Sequence, residues 1–175
     1  MTDDSREVDW VEAVRALPSG SAVVVRHRDG KARERLARAL RGVARERGVK
    51  LLIADDAALA LRVRADGVHV PEKHVARIAA LKARHAHWFV SASAHNARAV
   101  AAASRAGADG VLIAPVFATG SHPGRRTLGA LRLTALATQA RIGVYALGGI
   151  DCISVQRLIA APLNGVALIG GWTER

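Results

Sequence analysis

The chain is poor in cysteine, in aromatic residues, in acids and in long apolar runs. Its single cysteine, Cys152, excludes an intrachain disulfide, and no second thiol stands near to form a metal pair, so it reads as structural. Three Trp, one Tyr and two Phe make only 3% of the 175 residues, while apolar residues reach 50%. The core must therefore be aliphatic, built from Ala, Val, Leu and Ile, and the length suits one domain. The longest apolar runs, such as Val111 to Ala118, fall far short of the ~20 residues of a membrane helix. The first residues are acidic instead of a basic stretch followed by an apolar one, so the expected compartment is the cytoplasm, with no membrane partner.

Acids are outnumbered, 15 against 26 Lys and Arg, which leaves a formal charge of +11. A clustered basic face would be the footprint of nucleic-acid binding. Here the basic residues of Lys31 to Arg47 are interrupted at helical spacing by apolar residues and by Glu34 and Glu46, and no aromatic residues are interleaved. That pattern predicts a solvated helix face with i,i+4 ion pairs, and nucleic acid is not the expected partner. A positive field also draws in small phosphate and diphosphate esters.

What the chain has is glycine placed after short apolar runs. Gly107-Ala-Asp-Gly-Val-Leu-Ile-Ala-Pro-Val-Phe-Ala-Thr-Gly-Ser-His122-Pro-Gly124, then Ala146-Leu-Gly-Gly-Ile150 and Gly165-Val-Ala-Leu-Ile-Gly-Gly171, read as three buried parallel strands that each enter a small-residue loop. Upstream, a helix is expected over Asp9 to Leu17. Strands follow at Ala22 to Arg26, Lys50 to Ala54, Asp66 to Val70 and His87 to Ala92. Helices are expected in the basic segment and at Ala57 to Arg64, Glu72 to Ala86 and Asn96 to Ala106. The remaining strands are Gly110 to Ala114, Gly143 to Leu147 and Gly165 to Ile169, with helices at Gly129 to Thr138 and Ser154 to Ala160. Seven strands alternating with helices predict βαβ units and a parallel sheet. The fold class is thus α/β, a (β/α)8 TIM-barrel-like domain over 1–175 that lacks its first strand and last helix. The exposed edge would be covered by a partner such as a second copy, by distorted closure, or by Met1 to Asp4. An open Rossmann-like or flavodoxin-like sheet is the rival, but no Gly-x-Gly-x-x-Gly follows the first strand and the glycine turns come late.

Ala65-Asp-Gly-Val-His-Val70, Ser93-Ala-His95, Gly107-Ala-Asp-Gly110, Pro115-Val-Phe-Ala-Thr119, Gly148-Gly149 and Gly165-Val-Ala together resemble thiamine phosphate synthase and its relative, the thiazole tautomerase. The resemblance runs from Thr2 almost to the end, and Thr2-Asp3 looks like the end of that family's first strand. It implies a transferase of thiamine biosynthesis that joins hydroxymethylpyrimidine diphosphate to a thiazole phosphate, releasing diphosphate, with Mg²⁺ on the leaving group. Such chemistry needs cations where charge develops and donors for the second phosphate.

By the same resemblance Arg26 and Arg28 supply charge to the diphosphate as catalytic residues, and Ser93 contacts it. Asp55 matches a metal-binding aspartate, while a second acid falls on His74 and a preceding asparagine on Ala54. Replacing a carboxylate by imidazole weakens a Mg²⁺ site or changes its metal. Thr119 and Ser121 match hydroxyls that hold the thiazole phosphate, and the family's lysine corresponds to His122, a catalytic candidate able to move protons near neutrality. The amides of Gly148, Gly149 and Gly170, with Ile169 at the strand end, would complete a phosphate cradle. His69 reads as a satisfied core or barrel-mouth group. Two other functions remain open on these residues: a tautomerase that uses His122, and a non-catalytic phosphate-binding barrel.

Overall fold

The computed structural model describes residues 1–120, 124 and 126–169. Seven parallel strands hydrogen-bond in chain order: β1 (Ala22–Val25), β2 (Lys50–Ala54), β3 (Gly67–Val70), β4 (Phe89–Ala94), β5 (Gly110–Ile113), β6 (Gly143–Leu147) and β7 (Gly165–Ala167). Around them run α1 (Trp10–Arg15), α2 (Gly30–Glu46), α3 (Ala57–Arg62), α4 (Ile78–Arg84), α5 (Ala97–Arg105) and α6 (Gly129–Gln139), with 3₁₀ turns at Glu72–Arg77 and Ser154–Leu158.

Short polar side chains start the helices. Asp9, Asp29, Asp56 and Asn96 each accept hydrogen bonds from backbone N–H groups of the first turn of α1, α2, α3 and α5. Side chains alternate across each strand. Val23, Val25, Leu51, Ile53, Val68, Val90, Val111, Ile113 and Val144 pack outward in one core with the helices, whereas Val24, Leu52, Ser91, Leu112 and Tyr145 face the barrel interior. At ~25 cal/mol per Å² of apolar surface, this two-sided burial is the main source of stability.

A repeated device fixes the register of alternate strands. Asp66, before β3, accepts from Leu51 N at 2.7 Å and from Arg41 of α2 at 3.0 Å. Asp109, before β5, accepts from Val90 N at 2.7 Å and from Lys82 of α4 at 2.9 Å. Asn164, before β7, accepts from Val144 N at 2.9 Å. Each polar residue precedes a glycine and ties its own strand to the preceding one, and the two aspartates also hold a helix.

Among the described residues no strand joins β1 to β7. Residues 1 and 2 bridge the upper part of that gap: Thr2 N donates to Val24 O at 2.9 Å and the Met1 amine to Leu168 O at 2.7 Å. Thr2 is fully buried, and its hydroxyl accepts from Arg26 N at 3.0 Å. Below them an apolar cavity of about 560 Å³, lined by Trp10, Leu52, Tyr145 and Leu168 among others, occupies the rest of the gap.

Several expected boundaries move. The helix expected at Glu72 to Ala86 divides into the 3₁₀ turn and α4, and the next strand starts at Phe89. His85 stacks on buried Trp88 with ring centroids 4.1 Å apart, and Trp88 N donates to His85 O, so 85–88 form a turn instead of strand. The expected Ser154 to Ala160 helix is the 3₁₀ turn Ser154–Leu158, and the last strand ends at Ala167. The basic segment is helical with the expected i,i+4 pair Arg38–Glu34 at 2.7 Å, but Arg33 and Arg41 reach across to Asp56 and Asp66.

Candidate active site

The C-terminal strand ends open into a cavity of about 870 Å³. β1 leads into Arg26 and Arg28, β2 into Asp55, and β3 contributes His69. β4 carries Ser93, the loop after β5 Thr119, that after β6 Gly148 and Gly149, and that after β7 Ile169; all line this one cavity. The expected residues Ser121, His122 and Gly170 lie outside the described residues.

On the basic wall, Arg26 is held by its own surroundings. Its Nη2 donates to Asp3 Oδ2 at 2.6 Å. Hydrogen bonding from Ser5 chiefly, with a lesser part from Arg26, holds the Asp3 carboxyl below the ordinary aspartate range, against an opposing effect of burial. Arg28 is fixed through its backbone, whose N–H donates to Asp4 Oδ2 at 2.9 Å. A guanidinium restrained as that of Arg26 is loses little side-chain entropy when it meets an anion.

His69 lies at the floor, 5% exposed, with Nδ1 2.9 Å from Ser91 Oγ and Nε2 2.8 Å from Ser93 Oγ. Burial, followed by the Arg26 charge, pushes its pKa down to about 4. The ring is therefore neutral near pH 7, one nitrogen donating and the other accepting. This satisfies the histidine, as the sequence reading expects, and also fixes Ser93 at the cavity wall. Asn96 caps the following helix. His95 turns to Glu72, with Nδ1 2.5 Å from Oε2.

On the far wall Gly148 and Gly149 have φ of +96° and +64°. A Cβ on Gly149 would stand 2.2 Å from Ala118 O, so glycine is required here by loop packing as well as by any approach of an anion. Phe117 N donates to Gly148 O at 3.0 Å, which locks the β5 loop against the β6 turn.

Asp55 sits at φ +53°, with Oδ2 2.8 Å from His74 Nδ1 and Oδ1 3.1 Å from Arg77 Nη1. Its neighbour Asp56 spends one oxygen on the α3 cap and the other on Arg33, at 3.1 Å. Sequence reasoning did not single out Arg33 or Lys73, which also line the cavity. Arg33 belongs to a run whose periodicity marks a solvated face, and spacing alone does not tell which member turns toward the barrel mouth. Cys152, expected to be structural, is exposed at the same rim, because it falls in the turn after β6 and not in a packed element.

A family model described as "Thiamine monophosphate synthase" matches residues 1–171. The chain belongs to the thiamine monophosphate synthase family. It is 33% identical over 163 residues to the thiamine-phosphate synthase of Thioalkalivibrio sulfidiphilus, covering 89% of this chain and 76% of that protein. To the thiamine-phosphate synthase of Chloroflexus aurantiacus it is 32% identical over 161 residues, covering 89% and 74%. The thiamine phosphate pyrophosphorylase structure from Pyrococcus furiosus superposes with a TM-score of 0.82 at 27% identity, over 96% of this chain and 82% of that one. Membership in the thiamine monophosphate synthase family makes the chain a transferase with a TIM-barrel-like fold, as the resemblance implied. No helix among the described residues is long and apolar enough to cross a membrane.

Proposed function

We propose that the chain joins hydroxymethylpyrimidine diphosphate to thiazole phosphate, giving thiamine phosphate and diphosphate in the cytoplasm. The observation that carries this reading is that Arg26, Arg28 and Ser93 line the same cavity as Thr119, Gly148, Gly149 and Ile169. The first set would take the diphosphate of the pyrimidine and the second the thiazole phosphate, so that one cavity would hold the thiazole nitrogen and the pyrimidine methylene carbon together. The carbon–oxygen bond to diphosphate breaks with its electron pair leaving on oxygen, and the nitrogen lone pair forms the new carbon–nitrogen bond. Arg26 and Arg28 stabilise the charge that develops on the leaving oxygen. Ser93, oriented by neutral His69, donates to the same group. Holding both reactants in one cavity contributes the entropic part of the rate.

The resemblance also implies Mg²⁺ on the diphosphate. Magnesium takes hard oxygen donors in octahedral geometry. Here Asp55 has both oxygens bonded to basic side chains, the second acid is His74, and Asp56 and Glu72 are bonded to Arg33 and His95. No group of three or more potential metal ligands lies together among the described residues. This donor set does not fit a magnesium ion, and no step above passes through one.

The test is chromatography of a reaction holding both substrates. Formation of thiamine phosphate and diphosphate in equal amounts, absent when either substrate is omitted, is expected; a folded sample that makes neither refutes the assignment.

A further inference from the structure

The geometry points to a diphosphate corner in which protein cations take the place of a divalent ion, with both Asp55 oxygens engaged by His74 and Arg77. The nature of the anion rests on the proposed reaction; the charge arrangement does not. Among the described residues five Arg and Lys line the cavity, Arg6, Arg26, Arg28, Arg33 and Lys73, of which Arg26 and Arg33 are paired with Asp3 and Asp56, and the acids lining it are Asp55 and Asp151. In a metal-assisted site the carboxylates hold the ion and the ion holds the anion. At this corner the carboxylate that would face the ion already carries two nitrogen donors, at 2.8 and 3.1 Å. His74 and Arg77 both belong to the 3₁₀ turn after β3, so one element delivers them to Asp55 together. An uncompensated Asp55 would repel a diphosphate entering the cavity it lines; bonded to Arg77, it does so far less.

Arg33 provides an independent sign that this wall is built for negative charge. Its Nη1 and Nη2 are anchored by Ala54 O at 3.3 Å and Asp56 Oδ2 at 3.1 Å, while Nε is buried with no partner among the described residues. An unpaired buried N–H is costly, so this guanidinium, although its charge is paired with Asp56, keeps one donor unspent beside the cavity wall.

The experiment is calorimetric titration of inorganic diphosphate into the folded protein, once with chelator and once with excess magnesium. Diphosphate in chelator is expected to bind within about threefold of its affinity in magnesium, or tighter. Weakening by more than that on chelation overturns the proposal. A variant combining His74→Ala with Arg77→Ala frees Asp55; it should bind diphosphate more weakly in chelator and regain affinity when magnesium is added. Unchanged binding in chelator, or a loss that magnesium does not restore, also overturns it. Because binding is read without turnover, failure of the proposed reaction leaves this result interpretable, and the reverse holds equally.

Discussion

Acidification should destabilise this protein through His69. In the folded chain its pKa lies at about 4, against 6.5 for the free group, so between these values the unfolded state binds a proton that the folded state refuses. A depressed histidine contributes stability that is complete above 6.5 and is lost as pH falls toward 4, levelling off below. The full span of roughly 2.5 pH units corresponds to about 3 kcal/mol, at about 1.4 kcal/mol per unit within the window. Two other sets of groups bracket it. The buried Met1 amine, lowered from 8.0 to about 6, contributes stability that is complete above 8.0 and is lost as pH falls toward about 6. The depressed carboxyls of Asp3, Asp4, Glu34 and Asp151 act only below their ordinary range, where protonation begins to remove their stabilisation. Urea unfolding followed by circular dichroism at pH values from about 6 down to about 4.5 isolates the histidine. His69→Gln keeps a polar side chain near Ser91 and Ser93 but does not titrate, and should be less stable at neutral pH yet nearly flat across this range. Equal slopes for the two proteins would mean that the imidazole protonates in place, and would refute the buried neutral assignment.

Other outcomes follow from named contacts. Arg26→Ala should lower kcat/KM for the proposed transfer by a factor equivalent to about 2–4 kcal/mol, the order of one lost preorganised donor; a loss below about threefold removes Arg26 from that role. Gly149→Ala should cost at least about 2 kcal/mol in urea melts, since the methyl meets Ala118 O at 2.2 Å and φ is positive; a wild-type midpoint would contradict the packing described. Asp109→Ala deprives Val90 N and Lys82 of their acceptor and should cost about 1–3 kcal/mol with turnover per folded molecule kept; unchanged stability would show that the strand tie is replaceable.

The sheet was legible because parallel strands buried on both faces read as short Val, Leu and Ile runs, and all seven lie within two residues of where those runs fall. Boundaries moved where a tertiary contact outweighed local pattern. Trp88 reads as strand by propensity but is spent on His85 and the core, and Glu72–Arg77 reads as α-helix although Pro71 opens a tighter turn. Among site residues, Arg26, Arg28, Asp55, Ser93 and Gly148 were legible through the family resemblance together with the barrel topology, which brings strand ends to one cavity. Arg33 and Lys73 were not, since they reach the cavity from the first turn of α2 and from the 3₁₀ turn, where the sequence looks like ordinary basic surface. Nor does any spacing reveal that Asp55 is bonded to both His74 and Arg77; that needs the loop after β2 and the turn after β3 in three dimensions.

The most direct test of the account is a crystal structure of the protein with thiamine phosphate and diphosphate bound. The account predicts both in the cavity at the C-terminal strand ends, diphosphate within hydrogen-bonding distance of Arg26 or Arg28 and the thiamine phosphate group against the Gly148–Gly149 turn. Products seated elsewhere, in the apolar cavity between β1 and β7 for example, or with their phosphates exchanged between the two walls, would contradict it.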